Sequence, residues 1–490
     1  MSLSRLRTLT CFIVLPLLLL ISCHPSILAY DATWESLDSR PLPAWYDDAK
    51  FGIFIHWGAY SVPAFHNGGF WYYWQRLHHP EFDDFVNKTE RPGFAYPEYA
   101  HRFDALFYEP NDWASIFAKS GAQYVVLTSK HHEGFCIWDS RDIPATWNWN
   151  SMDVGPHRDL VGDLAKAVKN TSSPHTKKSL RFGLYHSMFE WFNPMYHADA
   201  ATNFTTQTFV DTKSMPELYD LVKKYEPDII WSDGAWSEPS SYWKSTEFLA
   251  WLATNSSVSE SVVWNDRWGK DSDCKHGSFW NCKDNFLPDG LIDHKWENCR
   301  RMDTGAWGLS RVSKYEQYET VKSLLDLLVK TVAFGGNLLL NIGPAGDGTI
   351  RPIFVDRLTG IGEWLSVNGE AIYGTKPWRV CQNETAAHVF YTTKDEILYA
   401  HFTEWPEHDI VTLDCPIATD DTKVRMLGLS PENSVEWKNL GAKGNATHLV
   451  EHSFILSGVQ VQLPPLTPAT IPCQHVWVLA FSNLANIHVE

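Results

Sequence analysis

The sequence predicts an α/β fold: a (β/α)8-like barrel followed by a C-terminal antiparallel β-sandwich. Three observations carry the prediction. Short apolar runs recur up to about Tyr373, and each ends in polar, chemically capable residues. Segments with helical patterning lie between several of these runs. Beyond Tyr373 the helical segments stop, and β-forming runs separated by turn residues take over.

Taken in order, Phe51–Ile55 leads to His56, Trp57 and Gly58, and Tyr124–Thr128 leads to Lys130, His131 and His132. Leu180–Leu184 ends in Tyr185 and His186, and Ile229–Trp231 leads to Asp233. Val262–Trp264 ends in Asn265, Asp266 and Arg267, and Asn337–Leu340 ends in Asn341. The intervening helices are expected over Asp112–Lys119, Leu160–Lys169, Met215–Lys224 and Tyr318–Phe334. Strand, functional tip and helix, repeated, describe a barrel whose site is built at the carboxyl ends of its strands. A doubly wound open sheet is the competing architecture, but it would draw a site from fewer strands. In the last part, Ala387–Tyr391, Ile397–Phe402 and Val476–Phe481 read as strands of the sandwich. The expected division is a signal peptide over 1–29, the barrel over 30–375 and the sandwich over 376–490.

At 490 residues, with 44% hydrophobic and 20% charged residues, the chain is a folded protein of more than one domain. Its formal net charge of -17 argues against nucleic acid, which requires a basic face. Its 21 histidines would outweigh that charge if protonated, so an acidic compartment would change the surface strongly. Arg5 and Arg7 precede the apolar run Cys11–Ile21, which is short for a bilayer span and holds Pro16. It reads as a cleaved leader rather than a signal anchor, and no later stretch is apolar enough to span a membrane. Six glycosylation sequons agree with secretory entry, at Asn87, Asn170, Asn203, Asn255, Asn383 and Asn445. Lysosomal and extracellular destinations are equally compatible with these features, and a homo-oligomer is left open. Of nine cysteines, Cys11 and Cys23 leave with the leader, so an odd number remains. One disulfide is expected among Cys274, Cys282 and Cys299 and one among Cys381, Cys415 and Cys473, with Cys136 as a free thiol. No spacing resembles a zinc site, and neither metal nor cofactor is implied.

The most informative residue is Asp233. Pro227 and Asp228 start its apolar run, Gly234 turns the chain out, and Trp231 and Trp236 flank it. A carboxylate at a strand end among aromatic rings is a candidate nucleophile for sugar chemistry, and a helix cap is the plain alternative. Tryptophan is abundant, at 24 residues. Most must serve packing, but Trp57, Trp71, Trp74, Trp231 and Trp236 sit near proposed strand ends, where a ring face could carry a pyranose.

Here the residues carry a resemblance. Trp45–Gly58 (WYDDAKFGIFIHWG), Lys130–Phe135 (KHHEGF), Trp231–Gly234 (WSDG) and Asn265–Gly269 (NDRWG) are similar, in that order, to the α-L-fucosidases of glycoside hydrolase family 29. Pro288–Leu291, Lys295–Glu297 and Cys299 resemble the family signature, in which the role of Cys299 is open. The resemblance spans roughly Trp45 to Trp378 and is closest to the lysosomal animal enzymes.

The resemblance implies a retaining exo-glycosidase that removes terminal L-fucose from glycans. Retention requires two carboxyl groups about 5–5.5 Å apart, one attacking and one protonating the leaving oxygen. Asp233 matches the family nucleophile. Asp284 and Glu297 are the candidates for acid/base, Asp284 being preferred by similarity, and burial beside Asp233 is expected for the acid. His56, Trp57, His131, His132, Tyr185, His186, Trp231 and Arg267 are the implied substrate-binding residues. Trp231 and Phe135 are candidates for an apolar wall against the fucose methyl group. Metal ligation by His131 and His132 is the lesser alternative for that pair. One departure stands out: Gly68 and Gly69 replace a Glu-Trp pair found in many members, so a sugar-contacting carboxylate is missing or comes from elsewhere. Two competing readings follow: a catalytically weak or inactive fucose-binding protein on the same scaffold, and a retaining glycosidase for a related sugar such as L-galactose.

Overall fold

Seven buried parallel strands form the first sheet of the computed structural model, which describes residues 29–430, 435–442 and 457–487. They are β1 (Phe51–Ile55), β2 (Tyr124–Lys130), β3 (Arg181–Ser187), β4 (Ile229–Asp233), β5 (Val263–Trp264), β6 (Trp296–Arg301) and β7 (Gly336–Ile342). Their order, β5-β4-β3-β2-β1-β7-β6, is that of a barrel opened between β5 and β6. Irregular backbone spans the gap. Ser278 donates to Trp264 O at 3.0 Å, and Trp280 forms a parallel bridge with Trp296. The predicted eighth strand is thus replaced by this stretch. β6 escaped the sequence reading because WENCRR carries no continuous apolar run.

Apart from β6, the strands carry apolar runs because both faces are covered, one by the barrel interior and one by helices. These helices are α1 (Pro110–Lys119), α2 (Leu160–Lys169), α3 (Met215–Tyr225), α4 (Ser245–Thr254), α5 (Val321–Ala333) and α6 (Pro352–Asn368). Asp159 caps α2 by accepting from Gly162 N at 2.9 Å. Thr320 caps α5, which is why that helix starts later than the predicted Tyr318. Among the described residues no helix is long and apolar enough to cross a membrane. Apart from Ala29, the predicted leader lies outside the described residues.

The chain then enters two antiparallel sheets. One contains β8 (Lys376–Pro377), β9 (Asn383–Glu384), β10 (Val389–Lys394), β11 (Ile397–Phe402), β13 (Ala418–Met426) and β16 (Trp477–Leu484). The other orders β12 (Ile410–Leu413), β15 (Ser457–Gln462) and β14 (Glu436–Ala442). Leu398, Phe402 and Phe481 of the first sheet share one core with Val411, Val459 and Val461 of the second. Tyr399, Val476 and Val478 belong instead to the core that includes α6, and Trp364 of α6 donates to Val476 O at 2.7 Å. The sandwich is therefore fastened to the outer face of the barrel.

Candidate active site

The carboxyl ends of the barrel strands surround a cavity of about 220 Å³, enough for one small ring. Side-chain alternation decides who faces it. Phe54 and His56 follow one another on the same face at β1, as do Trp231 and Asp233 at β4, and Tyr185 enters from β3. Arg267 arrives just after β5, Asp284 from the loop before β6, and Trp307 from the segment after β6. His131 and His132 both line the cavity although they are adjacent, because β2 ends at Lys130 and strict alternation ends with it. Gly234 has φ +79°, and a Cβ there would meet the Phe189 ring at 2.4 Å, so the turn that presents Asp233 requires glycine.

Asp233 is 8% exposed and fully engaged. Oδ2 accepts from Tyr185 OH at 2.8 Å, with His132 Nε2 3.5 Å away, and Oδ1 lies 3.2 Å from Arg267 Nη1. The same guanidinium reaches Asp284 Oδ1 at 2.9 Å through Nη2 and stacks over the Trp231 ring, 4.6 Å from its centroid. Asp284 Oδ2 accepts from Trp307 Nε1 at 3.0 Å. One arginine thus ties the two carboxylates together. The expected burial of Asp284 is not found: its side chain is 45% exposed, at the rim, where a leaving group would exit. Burial, together with the neighbouring imidazoles, pushes His56 and His132 well below the ordinary histidine range, so both are neutral near pH 6–7. Burial and then Asp233 push the Tyr185 phenol up, so it remains a proton-bearing donor.

Several expectations need correction. Glu297 does not reach the cavity. It is wholly buried beneath it, accepting from Tyr46 OH and Tyr124 OH at 2.7 Å each and from Trp231 Nε1 at 2.9 Å. Trp57 points to the opposite face of β1, packs on Phe103, Tyr108 and Trp113, and donates to Ala345 O at 2.7 Å. His186 alternates away from Tyr185 and meets Ser129 Oγ at 3.2 Å and Glu217 Oε2 at 3.3 Å. Phe135 packs in the core against Phe103 and Trp149 rather than on the cavity. Of the other tryptophans considered, Trp231 and Trp236 line the cavity, Trp71 stacks on Trp191, and Trp74 belongs to a separate buried cluster.

Trp307 and Phe54 were missed. Trp307 lies in a stretch with no periodic pattern, whereas Phe54 faces the cavity by the two-residue spacing from His56 and could have been found. Cys299 is a buried free thiol whose sulfur lies 3.8 Å from Arg267 Nη2. Disulfides join Cys274 to Cys282, two residues before Asp284, and Cys381 to Cys415, while Cys136 and Cys473 are free. Asn87, Asn170, Asn203 and Asn255 are exposed, Asn383 is half-buried, and Asn445 lies outside the described residues. Gly68 N donates to Trp307 O at 2.8 Å, and a Cβ on Gly68 would sit 3.5 Å from the His131 ring, so this position adjoins the cavity. Among the described residues, Asp233 and Asp284 are the only carboxylates that line the cavity.

A parallel barrel that brings a buried and a rim carboxylate to a small aromatic cavity has the equipment of a retaining glycoside hydrolase. Comparison with known proteins narrows this. The α-L-fucosidase family profile matches residues 18–370, and the profile of the α-L-fucosidase C-terminal domain matches 382–482. The chain is 48% identical to the tissue α-L-fucosidase of Rattus norvegicus, covering 93% of each protein. It is 45% identical to the plasma α-L-fucosidase of Homo sapiens, covering 94% of each. The crystal structure of Thermotoga maritima α-fucosidase in complex with fucose superposes with a TM-score of 0.72 at 31% identity, over 92% of this chain and all of that one. The chain belongs to the α-L-fucosidase family, glycoside hydrolase family 29.

Proposed function

We propose that this chain hydrolyses terminal α-L-fucosides of glycans with retention of configuration, with Asp233 as nucleophile and Asp284 as acid/base. The observation that carries the reading is the Asp233–Arg267–Asp284 bridge at the floor and rim of one cavity. Tyr185 and Arg267 hold Asp233 as an oriented anion, ready to attack the anomeric carbon and form a covalent fucosyl intermediate. Asp284 at the rim protonates the departing oxygen and then activates the incoming water. When Asp233 turns from anion to ester, its attraction for the guanidinium weakens, and Arg267 becomes freer to follow Asp284. Neutral His56 and His132 accept hydrogen bonds from sugar hydroxyls, and Phe54 and Trp231 supply the apolar wall that the methyl group of fucose requires.

Three features support passage through the secretory pathway to the lysosome or the exterior: the leader pattern over 1–29, exposed sequons and two disulfides. The division near residue 375 belongs to the same reading, since α6 is followed closely by β8, the first strand of the sandwich.

The test is turnover of an aryl α-L-fucoside by wild type and Asp233→Ala at acidic and neutral pH, with the first-formed product anomer read by NMR. The expected result is α-L-fucose from wild type and loss of turnover by at least about a thousandfold in a variant that still folds. A β-anomer as first product, or full activity in the variant, would overturn the assignment.

A further inference from the structure

Three imidazoles line the cavity, and the partners behind their rings differ. His56 Nδ1 meets the Asn341 side-chain oxygen at 2.6 Å, and that oxygen can only accept. His132 Nδ1 meets Ser187 Oγ at 2.7 Å. Ser187 gives its own proton to Phe189 O at 2.7 Å, so His132 Nδ1 is the donor in that contact. Both rings therefore carry their proton on Nδ1 and keep Nε2 as an acceptor.

His131 has no such neutral partner. Its Nδ1 is buried without a hydrogen bond, and 3.4 Å from it lies Oε2 of Glu133. Glu133 is 1% exposed, and neither of its carboxylate oxygens has a hydrogen-bond partner. The local backbone explains the encounter. Gly134 N donates to His131 O at 3.0 Å and Gly134 has φ +80°, a tight turn that folds Glu133 back behind the ring. The Tyr60 ring, 5.1 Å from that of His131, walls the same space. A buried, unpaired carboxylate facing a buried, unpaired ring nitrogen is costly unless the two share a proton.

We propose that Glu133 is the positioning residue of His131. Its carboxylate accepts from Nδ1–H, fixes the ring in the same form as His56 and His132, and leaves Nε2 of His131 as an acceptor for a hydroxyl of the bound sugar. Glu133 thereby supports the hydroxyl recognition from behind the cavity, although it does not line it. The inference deepens the fucoside reading and rests on it for the identity of the sugar.

The test titrates L-fucose into wild type, Glu133→Gln, Glu133→Met, His131→Phe and the Glu133→Met/His131→Phe double variant. The ¹⁵N spectrum of the histidine rings at neutral pH is recorded alongside. Glu133→Met should weaken L-fucose roughly ten- to hundredfold, the range for a hydrogen bond to a charged group, and raise KM more than it lowers kcat. Glu133→Gln, which retains an acceptor, should recover most of the affinity. The effect of Glu133→Met should vanish in the His131→Phe background, because the carboxylate acts through that ring. In wild type, His131 should carry its proton on Nδ1. An Nε2-protonated His131, or an undiminished Glu133→Met effect in the His131→Phe background, overturns the proposal. If Glu133→Met does not fold, the wild-type tautomer and the Glu133→Gln affinity decide. If wild type binds no L-fucose, the fucoside reading fails, and the tautomer alone decides the role of Glu133.

Discussion

Replacing Glu297 by alanine tests whether this carboxylate is a proton donor or a structural anchor. Four buried donors converge on it: Tyr46 OH and Tyr124 OH at 2.7 Å, Trp231 Nε1 at 2.9 Å and Asn281 Nδ2 at 3.3 Å. In Glu297→Ala the two phenols and Trp231 lose their acceptor inside the barrel, whereas Asn281 Nδ2 keeps the backbone oxygen of residue 297 at 3.2 Å. Each buried donor left unpaired costs about 1–3 kcal/mol. Some of that loss is returned, because burial pushes the Glu297 carboxyl up, and the variant no longer keeps a desolvated acid in place. If half the donors find a new partner or a water, the net loss is about 3 kcal/mol, a large share of a typical folding free energy. Thermal unfolding should then move down by about 4 °C, at about 1.4 °C per kcal/mol for a cooperative unit of roughly 350 residues. Turnover should fall because Trp231, the floor of the cavity, loses its anchor, and added azide should not restore it. An unchanged unfolding temperature together with azide-rescued turnover would refute this reasoning and make Glu297 the acid.

Asp284→Ala is the converse experiment. Its side chain is half-exposed and, among the described residues, bonded to Arg267 and Trp307 alone, so unfolding should stay within about 2 °C of wild type. Turnover should collapse on substrates with poor leaving groups, persist on activated aryl fucosides, and recover with azide. His401 gives a pH prediction for the sandwich. Burial pushes this imidazole down to about 3, below the usual 6.5. The unfolded chain therefore binds the proton more readily, and stability is lost as pH falls from 6.5 toward 3. Between pH 6.5 and 5 the loss is about 2 kcal/mol, at 1.36 kcal/mol per unit. His401→Gln, which can keep the contact with Thr392, should flatten this part of the acid-unfolding profile as followed by calorimetry.

Six of the seven barrel strands and four of the six helices that cover them are legible, because burial on both faces leaves apolar runs and clear periodicity, whereas β6, α4 and α6 are not. Leu160–Lys169 and Ile397–Phe402 have the same limits in the sequence reading and in the structure. Asp233 was legible for the same reason: an apolar run, a carboxylate and a turn glycine describe a strand end without further information. Asp284 and Trp307 were not. Both lie in irregular backbone between or beyond strands, where position is set by a disulfide, by Arg267 and by tertiary packing rather than by local period. Asp284 entered the reading through family similarity, and Trp307 not at all.

The misplacement of Trp57 and His186 has one cause, and it points to a rule for sites of this kind. Motif proximity does not imply shared orientation, because a strand offers the cavity only every second residue. Phe54 with His56 and Trp231 with Asp233 obey that parity, while Trp57 and His186 sit one residue off and serve packing. Glu297 also faces the barrel interior, but it enters at the start of β6, so it lies one layer beneath the cavity and bonds to its floor. Parity selects the face, and distance from the strand end selects the layer. Parity persists at His56 and Trp57 just past β1, but at His131 and His132, just past β2, the chain turns back on itself and both rings can serve one ligand. The same turn places Glu133 behind His131, so the residue that parity would discard becomes the one that holds a binding group in place.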